Sequence, residues 1–270
     1  MKKFTKVLAL ILSAVLVVAC FAACSKQGES SDNQNVASQS DFDYIKEKGK
    51  LVVGITEFEP MDYKDANGEW IGFDADLGKA VAEKMGVDIE FVVIDWDNKF
   101  LELDTKAIDC IWNGMTITNE VTQNSSASNA YAVNQQIVVM SADKSANYTT
   151  VESLKDLTFA VENGSAGQEA AEAQGLKTVA VTAQADALLE VKSGAVDACI
   201  IDSTMALAMT GEGTDYADLT TSVSLAEEQY GISFRKDSDM TEKMNAYLEE
   251  FKADGTLKAL SEKYGVLLAD

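Results

Sequence analysis

The 270-residue sequence is strongly acidic and contains no histidine. Its 22 Lys and Arg residues stand against 44 Asp and Glu, a formal net charge of −22 at pH 7, and 47% of its residues are hydrophobic. This charge makes nucleic acid and anionic lipid poor partners. The lack of histidine removes the commonest general base and metal ligand, and no phosphate-loop or nucleophile-elbow motif occurs. We therefore expect no metal and no cofactor.

Residues 1–23 have the pattern of an export signal, with three lysines in the first six residues and an almost unbroken apolar run over 7–23. The run ends in Phe21-Ala22-Ala23-Cys24, which resembles the lipobox of bacterial lipoproteins. This resemblance implies a lipid on Cys24 and a location at the outer face of the bacterial cytoplasmic membrane. Lipid attachment at Cys20, or a cleaved secretory peptide without lipid, is the alternative. Removing 1–23 takes away three lysines and no acid, so the remaining charge is 19 − 44 = −25.

Residues 24–41 are polar and predict a flexible tether. About 17 residues of such chain reach roughly 20 to 25 Å. The remainder, 42–270, is long enough for one large or two small domains. It contains no run near the roughly 20 apolar residues that a membrane span needs.

The remainder alternates short apolar runs with amphipathic stretches, and its two cysteines, Cys110 and Cys199, are expected to be buried strand thiols. The first series predicts strand 51–55, helix 74–85 with Asp74 as its capping residue, strand 89–94, helix 100–105 and strand 108–112. The second predicts strand 136–140, strand 158–161, helix 165–174, strand 178–181, helix 184–193 and strand 196–201. Such alternation indicates α/β lobes, each a mostly parallel sheet flanked by helices, with ligands bound beyond the carboxyl ends of the strands.

Six short motifs in order resemble those of the family 3 solute-binding proteins of amino-acid ABC transporters, over about residues 45–264. They are Lys50-Leu51-Val52-Val53-Gly54, Phe58-Glu59-Pro60-Met61-Asp62-Tyr63, Gly72-Phe73-Asp74-Ala75-Asp76-Leu77, the stretch from Asp109 to Thr118, Tyr230-Gly231-Ile232 and Lys252-Ala253-Asp254-Gly255-Thr256-Leu257. The resemblance implies the periplasmic-binding-protein type II fold, a monomeric two-lobed clamp that delivers its solute to an ABC permease. Lobe boundaries follow at 42–133 and 229–270 for the first lobe and 134–228 for the second, with hinges near 131–135 and 226–230.

The same resemblance suggests binding residues on the first lobe. Phe58 and Trp96 stand where the family places apolar walls around a ligand side chain, although each could instead be core packing. Asn113, Gly114 and Thr116 follow the strand predicted to end at Trp112. In the family this turn presents backbone groups and a Thr hydroxyl to the ligand, and glycine lets the main chain come close.

The second lobe contributes two further elements. The stretch 163–167 opens a helix, whose free N–H groups at Ser165 and Ala166 suit a carboxylate, and Ser165 could equally be an ordinary N-cap. Asp202 follows an apolar run where the family holds an acid that pairs with the ligand's ammonium. Its alternative role is a cap for a helix over 203–209.

One position departs from the family pattern. Family members that bind α-amino acids usually carry an arginine for the α-carboxylate where this chain has Val121. Arg235, the only arginine in the sequence, lies beyond the second hinge. A carboxylate would therefore rely on N–H groups near Thr116 and Ser165 or on Lys99, or the ligand would lack one.

These observations predict a lipid-anchored protein that binds a small amino acid and does no covalent chemistry. An amine or amino-acid derivative without a carboxylate is the alternative ligand. Three other classes of protein remain open. A dehydratase-like enzyme on the same fold would use Glu57, Glu59 or Glu162, a sensor would pair the same cleft with a membrane receptor, and a structural surface protein would need no cleft.

Overall fold

The computed structural model describes residues 40–270. The predicted signal peptide 1–23, the lipid site Cys24 and the predicted tether up to residue 39 lie outside this part. Asp41, which we had included in the tether, is the first residue of helix α1, and the hydroxyl of Ser40 caps that helix by accepting from the N–H of Asp43 at 3.0 Å. Within residues 40–270, no helix combines the length and apolarity that crossing a membrane requires.

The elements follow the predicted alternation of strands and helices. The strands are β1 Lys50–Ile55, β2 Tyr63–Lys64, β3 Trp70–Ile71, β4 Asp88–Val93, β5 Cys110–Thr116, β6 Ser126–Ala127, β7 Ala132–Ser141, β8 Thr158–Glu162, β9 Lys177–Val181, β10 Ala198–Asp202 and β11 Leu219–Phe234. The helices are α1 Asp41–Lys48, α2 Phe73–Met85, α3 Lys99–Asp104, α4 Asn119–Asn124, α5 Ala166–Ala173, α6 Gln184–Ser193, α7 Ser203–Met209, α8 Met240–Asp254 and α9 Thr256–Tyr264.

One mixed sheet runs through both lobes in the order β4-β1-β5-β11-β7-β10-β8-β9, with β6 also paired to β11. In the first lobe β4, β1 and β5 are parallel, and in the second lobe β10, β8 and β9 are parallel. The two long strands between these sets, β7 and β11, pair antiparallel with each other and with their neighbours. The predicted two-lobed α/β fold, with mostly parallel sheets joined by two hinge strands, is confirmed.

The strands β7 and β11 form the connection between the lobes. Their register pairs Ala132 with Tyr230 and Gln136 with Ala226, so the two predicted hinge segments lie side by side. Both strands continue from one lobe into the other without a break. The exact lobe boundaries at 133/134 and 228/229 therefore remain a prediction.

One cluster of buried apolar side chains extends through both lobes and includes Leu51 of β1 as well as Ile201 of β10. In the first lobe, Leu51 and Val53 of β1 pack with Phe73 and Leu77 of α2, because helical spacing places both helix residues on one face. In the second lobe, a separate cluster contains Val138, Phe159, Val161 and Ile200. The thiols of Cys110 and Cys199 are free and fully buried in β5 and β10, as predicted.

Candidate ligand-binding cleft

A cavity of about 320 Å³ lies between the lobes, at the carboxyl ends of β5, β8 and β10. Its volume is that of a small-molecule site. Seven of the eight residues predicted to bind the ligand line it: Trp96, Asn113, Gly114, Thr116, Ser165, Ala166 and Asp202. Since they come from both lobes, a solute in the cavity would touch both.

Trp96 and Lys99 form one side of the first-lobe wall. Trp96 is 7% exposed and begins a short 3-10 turn that leads into α3. The ammonium of Lys99 lies 5.3 Å from the centre of the Trp96 ring and donates to the carbonyl oxygens of Trp96, at 3.2 Å, and Gly164, at 2.9 Å. Burial lowers the pKa of Lys99, although Glu120 and other nearby acids oppose this effect. The wall thus presents an aromatic face beside a largely buried cation.

Asn113 supports the wall through its side chain. Its side-chain oxygen accepts from the N–H and hydroxyl of Thr56, at 3.0 and 2.7 Å, and its amide donates to the carbonyl of Thr56 and to Asp62 Oδ2, at 3.1 and 2.7 Å. These four bonds use the full capacity of an amide side chain. The side chain of Asn113 therefore links the end of β1 to β5 by hydrogen bonds, and none of its hydrogen-bonding groups remains available to a ligand.

Strand β5 extends further than predicted, because its pairing with β11 continues to Thr116. Gly114 therefore lies inside the strand, with φ +53°, and its N–H donates to Asp74 Oδ2 at 2.6 Å. A β-carbon at this position would lie 2.6 Å from Cε1 of Phe58. The ring of Phe58 is buried against Gly114 and is not among the residues that line the cavity.

The prediction that Asp74 caps helix α2 was wrong. Gly72 occupies the N-cap position, and no side chain caps the helix. The fully buried carboxylate of Asp74 accepts instead from the N–H of Gly114 and from the hydroxyl of Tyr131 at 2.8 Å. Burial raises the pKa of Asp74 to about 7. This acid joins α2 to the floor of the cleft and to the start of the first hinge strand.

The opening of helix α5 forms part of the second-lobe wall. Ser165 is its N-cap, and the Ser165 hydroxyl accepts from the N–H of Gln168 at 3.1 Å, as predicted. The preceding Gly164 has φ +69°, and a β-carbon there would lie 2.9 Å from Oδ1 of Asp97 on the first lobe. The two lobes are therefore in close contact at this turn.

Asp202, the last residue of β10, is 3% exposed, and its hydrogen-bond donors among residues 40–270 are neutral groups. The hydroxyl of Tyr230 donates to it at 2.5 Å and the amide of Gln136 at 3.1 Å, and the amides of Asn134 and Gln184 also donate. Asp202 occupies the N-cap position of α7 without accepting a capping bond from that helix. Its side chain is therefore directed to the hinge strands and the cavity.

Two further buried acids lie close to Asp202. Burial and the charge of Asp202 raise the pKa of Glu162, which lines the cavity, to about 8. The same causes raise the pKa of Glu228 on β11 to about 9. Among residues 40–270 no lysine or arginine forms a salt bridge with any of these three acids. Three buried acids therefore lie close together without a paired cation, and two of them, Glu162 and Glu228, hold their protons at neutral pH.

The position of the family's arginine is also at the cavity. Val121, on α4, is 3% exposed and lines the cavity. Arg235 is bound elsewhere, because its guanidinium contacts Asp41 at 3.0 Å and the carbonyl oxygens of Leu103 and Ile108. The cation that lines the cavity is Lys99.

Sequence reasoning missed several polar residues of the site. Gln136 and Gln184 line the cavity, and Tyr230 contacts Asp202 from the hinge. One signal was present, because Asn134 and Gln136 are two residues apart in a strand, share one face and are both buried. Two amides on a strand face whose other residues, Ala132, Val138 and Met140, are apolar indicate a polar partner beneath that face.

The chain belongs to the bacterial extracellular solute-binding proteins, family 3, whose profile matches residues 51–266. It is 30% identical over 264 residues to the arginine-binding extracellular protein ArtP of Bacillus subtilis (strain 168), covering 94% of this chain and 96% of that protein. The fold is that of type II periplasmic binding proteins.

Solved structures are similar over most of the chain. Holo ArgBP from T. maritima superposes with a TM-score of 0.72 and 38% identity, over 82% of this chain and 98% of that one. An ancestral amino-acid-binding protein, described as a precursor of cyclohexadienyl dehydratase, superposes with a TM-score of 0.76 and 33% identity, over 83% and 99%. Curated relatives include proteins named for binding arginine and L-cystine.

Proposed function

We propose that this protein captures a small amino acid between its lobes and delivers it to an ABC importer. The observation that carries this proposal is Asp202, a buried carboxylate at the cavity whose hydrogen-bond donors in the described part of the chain are neutral. A ligand ammonium would give it a charge-assisted partner, which is stronger than a neutral hydrogen bond. The relatives that are named for arginine or described as amino-acid-binding support an amino acid as the solute.

The ligand's carboxylate, in this proposal, meets Lys99. An ammonium has three donors, and two of those on Lys99 are used by the carbonyl oxygens of Trp96 and Gly164. The third is available on the side chain that lines the cavity. A single ammonium donor replaces the bidentate fork of an arginine, so we expect weaker recognition of the carboxylate than in arginine-containing relatives.

The protein is held at the membrane, we propose, by a lipid on Cys24, and residues up to 39 act as the tether to the first lobe. The extracellular family supports this location. Replacing Cys24 by alanine should abolish lipid labelling and release the protein or leave the precursor unprocessed, whereas Cys20→Ala should change neither. Normal labelling of the Cys24→Ala variant would move the anchor to Cys20.

Thermal-shift screening of the purified protein against amino acids, amines and dipeptides tests the binding function. A ligand at 100 times its dissociation constant stabilises the native state by about 2.7 kcal/mol. At least one amino acid or amine should raise the melting temperature in a concentration-dependent way. If no member of the set does so, the proposed function fails.

An enzyme on the same fold is the second candidate, and Glu162 is the observation that favours it. This buried acid lines the cavity and holds its proton to about pH 8, which suits a general acid. A turnover assay with cyclohexadienyl acids decides between the two. Turnover by the wild-type protein that is lost in Glu162→Gln would reject the binding function and support a catalytic function.

A further inference from the structure

The acids of the cavity outnumber its cations. Glu162 and Asp202 line it as buried carboxyls, and Glu120, Glu169 and Glu172 line it as exposed ones. Lys99 is the cation among the lining residues that the structure describes. A neutral zwitterion with its ammonium at Asp202 and its carboxylate at Lys99 would leave Glu162 without a charged partner. The wall therefore has one more buried carboxyl than such a ligand requires.

Two buried oxygen atoms of the lining lack a hydrogen-bond partner. Glu162 is 2% exposed and its Oε1 has no hydrogen-bond partner, and the same holds for Oε1 of Gln136, which is also 2% exposed. Polar atoms that are buried and unpaired are costly, so sites of this kind are completed by a group that forms the missing hydrogen bond. Both residues line the cavity, where a ligand can supply that group.

Within residues 40–270, no lysine or arginine forms a salt bridge with Glu162. Lys99, whose charge lowers the pKa of Glu162, donates to carbonyl oxygens and forms no salt bridge with Glu162. Gln184 contacts both Glu162 and Asp202, so the two acids are near neighbours across one amide. A group that satisfies Glu162 must therefore enter through the cavity.

We propose that Glu162 is a second cation-binding carboxyl of the cavity, so that the solute carries two cationic groups, one at Asp202 and one at Glu162. The chemical class is a basic amino acid or a diamine. The proposal rests on the proposed function and narrows the class of ligand. A binder of neutral amino acids would fulfil the proposed function without placing a cation at Glu162. The exposed acids at the rim favour the approach of such a cation.

The proton that Glu162 carries at neutral pH makes the binding of a cationic ligand dependent on pH. The charged and titratable groups that face this carboxyl are Asp202, which raises its pKa, and Lys99, which lowers it, with Gln184 as a neutral donor. A cation that binds beside Glu162 favours its ionised form, so binding at pH 7 expels a proton. Apparent affinity for the cationic ligand should then rise by up to about tenfold per pH unit between pH 6 and 8.

The experiment compares ligands of matched shape on the full-length protein by isothermal titration calorimetry. The pairs are arginine with citrulline and lysine with norleucine, and putrescine represents a diamine. At least one cationic compound should bind about tenfold or more tightly than its neutral partner, with release of a proton detected by repeating the titration in two buffers of different ionisation enthalpy. In Glu162→Gln the preference should fall to about threefold or less and the proton release should disappear.

Two further variants separate charge from shape. Glu152→Gln removes an exposed acid of the second lobe that does not line the cavity, and this variant should keep both the preference and the proton release. Glu162→Asp keeps the charge and should retain part of the preference even if Glu162→Gln is poorly folded. A neutral amino acid that binds as tightly as every cationic compound, or an unchanged preference in Glu162→Gln, would overturn the inference while leaving the binding function intact. Binding of none of the compounds, nor of any amino acid, would instead reject the proposed function.

Discussion

The ammonium of Lys99 on the first lobe donates to the carbonyl oxygen of Gly164 on the second lobe at a distance of 2.9 Å. This bond crosses the cleft beside the cavity, and Asp97 approaches Gly164 so closely that a β-carbon there would lie 2.9 Å from its Oδ1. The lobes therefore meet at a turn that has room only for glycine.

Gly164→Ala should weaken ligand binding by about tenfold or more, because the added methyl group would collide with Asp97 when the lobes approach. The matched control is Gly175→Ala. Gly175 has φ +63°, close to the φ +69° of Gly164, and an added β-carbon there meets no atom within 4 Å. Both variants should lose about 1 kcal/mol of stability from the left-handed backbone. Calorimetric affinity and denaturant unfolding measure the two effects, and equal binding by both variants would contradict the importance of this contact.

Asp202→Asn should weaken binding of the ligand by about tenfold or more, since a hydrogen bond to a charged group contributes about 1.5 to 3 kcal/mol. Asn keeps the shape of the side chain but removes its charge. Asp218→Asn, at an exposed position, serves as the control. Unchanged affinity in a folded Asp202→Asn variant would place the ligand's ammonium elsewhere.

Val121→Arg separates a carboxylate-containing ligand from a plain amine. For an amino acid, the guanidinium can form a bidentate pair with the α-carboxylate, and affinity should rise if the neighbouring side chains leave room. For an amine without a carboxylate, the same change adds an unpaired cation beside a cationic ligand, and affinity should fall. The measurement compares the ligand, its amide and its decarboxylated analogue in both proteins. We expect the wild-type protein to prefer the amino acid, and a clear preference for the decarboxylated analogue would contradict this expectation.

The stability of the ligand-free protein should fall as pH rises from about 5 to 8. Burial raises the pKa of Glu162 from 4.5 to about 8, so within this window the folded state holds a proton that the unfolded state has lost. The stability that the protonated Glu162 contributes is therefore fully present below about pH 4.5 and is lost as the pH rises to about 8. Each unit of pKa difference corresponds to about 1.4 kcal/mol, and a loss of a few kcal/mol is expected.

Glu162→Gln should make this dependence less steep by up to the contribution of one proton, because the amide cannot titrate, while Glu228 and Asp74, whose pKa values burial also raises, keep a remaining slope. Glu169→Gln, at the exposed rim, should leave the slope as in the wild-type protein. Denaturant unfolding at pH 5, 6, 7 and 8 gives the slopes. A slope in Glu162→Gln equal to that of the wild-type protein would contradict the raised pKa of Glu162.

The sequence by itself determined the class of fold, the family and the place of the cleft. Alternating apolar runs and amphipathic stretches are local patterns that define strands and helices, and parallel strands bring residues at their carboxyl ends, such as Thr116 and Asp202, to one edge. The absence of an arginine near Val121 was likewise visible in the sequence.

Only the tertiary structure decided which atom each polar side chain satisfies. Asp74 accepts from Gly114, 40 residues away, and Asn113 binds Thr56, 57 residues away. Phe58 is buried against Gly114 instead of lining the cavity. No local pattern specifies such pairs, because the donor comes from a distant segment that packing brings into place. The same packing leaves Glu162 as a buried acid without a cationic partner, which is the feature of the cleft that bears most directly on its ligand.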